Sequence, residues 1–271
     1  MKIIDRSEQG EGAAAAAGTV FSGGTLPFRC ERIIAREHFM EVSINGAAAM
    51  RIVCTNDRLP ELIIGRLLSE GMAETPEDIR QIYICERGET AQVVLNSVPG
   101  AADSAYVEKI GTCCTGNRLL TGAFLRGAPL PRLEQARWRP EWVTGAFREM
   151  QAAVPLFERT HAVHSCGLIH RGELRFCCED IGRHNAVDKV IGCAVREGLE
   201  PGECILLSSG RIAADMAEKA ARAGIPVFAT TKSVTDAALR LASECGMTLA
   251  AYVREDSLTI LEPVPPEEVS E

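Results

Sequence analysis

The chain has 271 residues, 46% of them hydrophobic and 24% charged, with a formal charge of -8 at pH 7. That length can bury one large core or two smaller ones, and the acidic balance argues against duplex nucleic acid as a bulk partner. No apolar run is long enough to span a bilayer, and the short alanine run from Ala13 to Ala17 is too weakly apolar for a signal peptide core; a cytoplasmic protein with no membrane partner is expected.

Residues 1–25 read as a flexible leader, because glycine, alanine and acids offer little to pack. An N-terminal α/β module is expected over 26–128. Its first hairpin joins runs 32–43 and 48–55 through Asn45 and Gly46, a dipeptide suited to the positive φ angles of a tight turn. Leu59, Leu62, Ile63, Leu67, Leu68 and Met72 then recur at helical spacing, with Asp57 expected as N-cap and Gly71 near the end. A second hairpin pairs 79–86 with 90–97.

The segment KIGTCCTGNR at 109–118 follows. Glycines flank two adjacent thiols and no apolar period surrounds them, so the pair reads as loop rather than core. Reactive groups concentrate on loops, and Lys109 and Arg118 would favour the nucleophilic thiolate. Cys113 and Cys114 are therefore the candidate catalytic residues; two small residues in a Gly-rich turn is the plainer alternative. The eleven cysteines are odd in number and irregular in spacing, which argues against a disulfide framework. Cys54, Cys85, Cys193, Cys204 and Cys245 sit in apolar runs and read as small buried hydrophobes. The vicinal pairs Cys113–Cys114 and Cys177–Cys178 stand apart. Adjacent cysteines rarely chelate zinc together, and no metal site is expected.

Prolines and arginines between 129 and 140 read as a linker, and a C-terminal α/β core is expected over 141–261. It opens with a helix at 141–157. His161 and His164 then lead into an apolar strand, as hydrogen-bonded edge residues or as ligands. Arg171 and Gly172 turn the chain into a strand at 173–178. The stretch EDIGRHNAVDKV at 179–190 comes next. Its polar residues, Asp180, Gly182, Arg183, His184 and Asn185, are concentrated where an apolar helix begins. Free backbone N–H groups and the positive dipole end would face an anion there; a capped helix start is the plainer reading.

Helices at 186–197, 212–223 and 236–245 alternate with strands at 204–208, 226–232 and 247–254. That order implies an α/β layered fold with largely parallel pairing, whose ligands bind beyond the carboxyl ends of the strands. Loops 208–211, 230–233 and 254–257 fall there. The first two set hydroxyls beside Arg211 and Lys232 ahead of a helix, as a phosphate cradle would. Neither is a Walker A loop or a dinucleotide fingerprint. Residues 262–271 form an acidic tail.

The stretch EDIGRHNAVDKV, followed by Ile191 and Gly192, resembles the hallmark of the formate dehydrogenase accessory sulfurtransferase family, FdhD. LPEL at 59–62, LSEG at 68–71, HAVH at 161–164, SSGR at 208–211, AGIPV at 223–227 and YVR at 252–254 resemble further family segments. The likeness runs from about residue 29 to residue 260. It implies a cytidine-deaminase-like layered core with a smaller N-terminal α/β module, as a homodimer. It also implies a sulfur carrier that takes persulfide sulfur from a cysteine desulfurase. The sulfur would pass to the bis-molybdopterin guanine dinucleotide cofactor of the formate dehydrogenase catalytic subunit. Cys113 and Cys114 would carry it, although the family loop has two residues between its cysteines. Asp180, Gly182, Arg183, His184, Asn185, Ser209, Gly210, Arg211, Lys232, Tyr252 and Arg254 would line the cofactor cleft, with GDP as a mimic. A guanine-dinucleotide chaperone without sulfur chemistry is the alternative. A zinc deaminase is disfavoured, because His164–Ser165–Cys166 lacks the required glutamate.

Overall fold

The computed structural model describes residues 1–8, 10–24, 26–96, 130–134 and 137–262. The N-terminal module holds β1 (Lys2–Asp5), β2 (Ala13–Val20), β3 (Phe28–Ala35), β4 (His38–Ile44), β5 (Ala47–Cys54), α1 (Leu59–Ser69), β6 (Ile79–Ile84) and β7 (Thr90–Leu95). The C-terminal core holds α2 (Pro140–Ala152), α3 (Pro155–Thr160), β8 (His164–His170), β9 (Glu173–Asp180), α4 (Arg183–Arg196), β10 (Cys204–Ser208), α5 (Ala214–Arg222), β11 (Val227–Thr230), α6 (Asp236–Cys245), β12 (Thr248–Ala251) and β13 (Thr259–Leu261). The α/β class expected from the sequence is the class observed.

Three sheets result: β1-β6-β7-β4-β5, β13-β12-β11-β10-β8-β9, and the ribbon β2-β3. The six-stranded sheet is covered on both faces. Cys166, Leu168, Cys178 and Leu206 pack against α4, α5 and α6 on one side. Ile169, Ile205, Leu207, Val227 and Ala229 pack against Val143, Ala146 and Met150 of α2 on the other. The five-stranded sheet packs its inner face on α1.

α1 lies between the two modules. Its sequence, LPELIIGRLLS, is apolar on nearly every side, and all of its residues are buried, as such a helix requires. Its other face meets α4 at a crossing that only glycine permits. A Cβ on Gly65 would fall 1.8 Å from the Asp188 carbonyl oxygen, and one on Gly192 would fall 2.0 Å from that of Glu61.

Several expectations need correction. Residues 1–25 are not all unpacked leader: β1 pairs in parallel with β6, and β2 pairs with β3. The partner that orders β1 lies far along the chain, whereas β2 is ordered by the next strand, β3. Arg58 with φ 49°, rather than Asp57, is the residue at the start of α1. The helix expected over 141–157 is two helices, because Pro155 lacks an N–H and restricts Val154 before it. The helix expected to start at Ala186 starts at Arg183. Pairing in the six-stranded sheet is parallel only for β10-β11 and β11-β12, and antiparallel at β8-β9, β8-β10 and β12-β13.

Candidate functional site

One rim of the six-stranded sheet gathers the residues singled out above. β9, β10, β11 and β12 end there, β8 begins there, and α4 starts there. Register fixes this: His164 lies opposite Asp180, Ser208 opposite Cys166, and Ser208 opposite Thr230. The rim therefore joins Asp180 to Asn185, Ser208 to Arg211, Thr230 to Ser233, and Tyr252 to Arg254.

The loops are braced by their own hydroxyls. Ser165 N donates to Ser209 Oγ at 2.9 Å, and Ser209 N returns a bond to the Ser165 carbonyl at 2.9 Å. Gly210 N donates to Ser208 Oγ at 3.0 Å, and Thr230 Oγ1 donates to the Gly210 carbonyl at 2.6 Å. Tyr252, with φ 55°, donates its hydroxyl proton to Ser233 Oγ at 2.9 Å. Arg254 Nη1 donates to the Thr231 carbonyl at 2.9 Å. These bonds fix the loop shapes, while the side chains of Arg211, Lys232 and Arg254 are exposed.

Cations converge at the start of α4. The Arg183 side chain lies across Gly210, where an added Cβ would be 3.0 Å from Arg183 Cδ. His184 Nε2 is 3.1 Å from Asp215 Oδ2. Half-buried His164 stands among Arg183, His184 and Arg211. Burial first, and then those three neighbours, pushes its imidazole below the ordinary histidine range, against the opposing charge of Asp180. Burial accounts for the largest part of that shift, and the positive charge of Arg183 and Arg211 adds to it.

Asp180 and Asn185 face inward. Asp180 accepts from Gly182 N at 2.9 Å, Thr55 N at 3.0 Å and Asn185 Nδ2 at 2.8 Å, and it pairs with Lys189 at 2.9 Å. Asn185 also accepts from Arg66 Nη2 at 2.8 Å and donates to the Val53 carbonyl at 2.8 Å. Both side chains are fully buried. They hold the helix start against the N-terminal module, with Arg183 buried against Gly210 and His184 buried beside Asp215 at the inner edge of the rim.

Sequence reasoning missed the buried charges behind this arrangement. Lys189 donates to Thr55 Oγ1 at 2.6 Å and Asp57 Oδ1 at 2.8 Å. Burial alone would push its ammonium down, but Asp180 and Asp57 outweigh it and hold it above its ordinary value. Asp188 accepts from Ser69 Oγ at 2.7 Å and pairs with Arg66 at 2.9 Å and Lys219 at 3.0 Å. Lys219 also pairs with Glu70 at 2.6 Å. The available signal was Arg66 inside an otherwise apolar helix, and Asp188 with Lys189 inside the hallmark stretch.

Cys113 and Cys114 lie outside the described residues. Among the described residues, no group of three or more His, Cys, Asp or Glu side chains is arranged to hold a metal ion, and no helix is long and apolar enough to cross a membrane.

Comparison with known proteins gives a consistent picture. The model of the FdhD/NarQ family matches residues 35–264. The chain is 28% identical over 243 residues to a sulfur carrier protein FdhD of Listeria monocytogenes, covering 89% of this chain and 93% of that one. It is 30% identical over 237 residues to a sulfur carrier protein FdhD of Bacillus pumilus, covering 86% of this chain and 90% of that one. It is also similar to a crystal structure described as a formate dehydrogenase accessory protein from Desulfotalea psychrophila. That match has a TM-score of 0.73 and 26% identity, over 94% of this chain and 98% of that one.

Proposed function

The chain belongs to the FdhD/NarQ family, and from that premise we propose that it is a cytoplasmic sulfur carrier serving a formate dehydrogenase. In this reading Cys113 or Cys114 takes sulfur from a cysteine desulfurase. The thiolate attacks the outer sulfur of the desulfurase persulfide, the S–S bond breaks, and the desulfurase thiolate leaves. The carrier, as a homodimer, then delivers the sulfur to its substrate, the bis-molybdopterin guanine dinucleotide of the formate dehydrogenase catalytic subunit.

The observation that carries this reading is the cationic rim at the start of α4. Arg183 and His184 are supplied by the helix start and Arg211 by the loop after β10, and all three bear on His164. A guanine dinucleotide brings a pyrophosphate and a hydrogen-bonding base. The donor set fits it: two arginines, the exposed Lys232, and backbone N–H groups at a helix start. Arg183 and Arg211 would hold the pyrophosphate, while Ser209, Gly210, Tyr252 and Arg254 would shape the cleft around the remainder. Asp180 and Asn185 would act by holding Arg183 in place.

The test is direct. The purified chain is incubated with a cysteine desulfurase and cysteine, digested without reductant, and analysed by mass spectrometry. One added sulfur atom is expected on the peptide that contains Cys113 and Cys114, and none on a Cys113→Ala, Cys114→Ala double variant. Full labelling of the double variant would refute the proposal. GDP binding that persists with no persulfide on either thiol would replace it with a cofactor-binding chaperone.

A further inference from the structure

A second thiol pair sits beneath the rim. Cys178 is buried near the end of β9 and Cys193 is buried on α4, so the two residues flank the stretch from Asp180 to Asn185. Their sulfurs are 4.0 Å apart. Arg58, just before α1, donates from Nη1 to Cys193 Sγ at 3.4 Å. Neighbouring residues of a strand point to opposite faces, which separates the vicinal Cys177 from this pair. Cys178 packs in the core under α4, whereas Cys177 packs against the core on the α2 side.

The two thiols are not equivalent. The hydrogen bond from Cys178 lowers the Cys193 thiol below its ordinary value; burial opposes this and the Arg58 charge reinforces it. Cys178, sharing that bond and buried, is raised. Cys193 is the sulfur of the pair that the Arg58 guanidinium touches, and that contact favours its thiolate. A cavity of about 320 Å³ opens on the Cys178 side of the pair, lined by Asn56, Asp57, Leu156, Cys177, Cys178 and Glu179. Its size admits reagents comparable to water.

We infer that Cys178 and Cys193 form a reactive dithiol, a modification site that small hydroperoxides oxidise to an intramolecular disulfide. The Cys193 thiolate attacks one peroxide oxygen and the O–O bond breaks. Hydroxide leaves and takes up the proton that Cys193 released on ionising. A sulfenic acid remains on Cys193. Cys178 sulfur then attacks that sulfur, the S–O bond breaks, and the departing hydroxide leaves as water with the Cys178 proton. Two thiols lose two electrons and two protons, and hydrogen peroxide becomes two waters. The bond ties the strand and the helix that present the rim residues. It also engages the sulfur to which Arg58 donates, and so alters the contact between the start of α1 and α4.

Peptide mapping tests this on the full chain. The native protein is treated with hydrogen peroxide, alkylated and cut with trypsin, which releases Cys178 within 176–183 and Cys193 within 190–196. A linked pair of these peptides, lighter by two hydrogens, is expected. The link should persist in Cys177→Ser and vanish in Cys178→Ser and in Cys193→Ser. Arg58→Gln should slow its formation on the order of tenfold, the scale of one charge-assisted hydrogen bond lost from Cys193. Peptide 176–183 alkylated at both of its cysteines and peptide 190–196 alkylated at its one, with no linked pair, from the native wild-type chain would overturn the inference without reliance on any variant. A link that survives Cys178→Ser, or a rate unchanged by Arg58→Gln, would overturn it too.

Discussion

Lys189 Nζ lies 2.9 Å from Asp180 Oδ2, and neither side chain has any exposed surface. Asp180 belongs to the strand that leads to the rim and Lys189 to the helix that leaves it. Thr55 and Asp57 of the N-terminal module complete the cluster. Such a pair adds little over a packed apolar pair, but removing one partner leaves a buried charge uncompensated. Its role here is positional: it fixes where α4 starts.

Lys189→Met should therefore cost about 3–5 kcal/mol in urea unfolding, with loss of rim geometry before loss of the fold. The pH dependence has a definite sign. Asp180 and Asp57 hold Lys189 above its ordinary value, so its contribution is full below about pH 10.4, the unfolded value. That contribution is lost as pH rises through the folded value. A Lys189→Met variant with wild-type stability at pH 7 would contradict this.

The helix crossing gives a steric prediction. Gly65→Ala and Gly192→Ala each drive a methyl group into a backbone carbonyl, so α1 and α4 must part. Each should cost about 3 kcal/mol or more, read as a fall in thermal midpoint. Gly145→Ala on α2 is the contrast, because nothing lies within 4 Å of its added Cβ; it should be neutral or stabilising by up to about 1 kcal/mol.

His164 reports on the rim charge. Its NMR titration midpoint should fall below 6.5, the ordinary value, because burial and then Arg183, His184 and Arg211 disfavour the imidazolium. The unfolded chain then protonates first as pH falls. Stability associated with this histidine is present above pH 6.5 and declines as pH drops from there toward the folded midpoint. Saturating GDP should raise the midpoint and be accompanied by proton uptake. A midpoint indifferent to GDP would remove the rim as the anion site.

Arg183→Ala and Arg211→Ala should each weaken GDP binding by about tenfold, the scale of one charge-assisted hydrogen bond. Calorimetry at two salt concentrations reads this, with the smaller salt dependence in the variants. Equal affinity in both variants and the wild type would contradict the assigned contacts.

Much of this was legible locally. Asn45–Gly46 and Arg171–Gly172 demand positive φ at both turn positions, and the chain supplies 50° with 84° and 51° with 91°. α6 follows its apolar period between Thr235, which caps it, and Gly246. β1 was hidden because four residues carry too little pattern, and its partner β6 is distant. β2 is alanine and glycine over most of its length, without the branched residues that mark strands. The buried charges were hidden for a different reason. Arg66 looks like a surface residue until Asn185, 119 positions later, accepts its proton. Local periodicity carries no information about such pairs. The rim was legible because strand order alone brings its loops together, although the inward turn of Asp180 and Asn185 was not.

The central claim is that sulfur passes through this chain by way of Cys113 and Cys114 to a cofactor held at the rim. Cysteine carrying sulfur-35 can be supplied to a desulfurase, the chain and an unsulfurated formate dehydrogenase, with label counted on the re-isolated dehydrogenase. The account predicts label and activity with the wild-type chain, and neither with the Cys113→Ala, Cys114→Ala double variant. Equal label on the dehydrogenase with the double variant would contradict it.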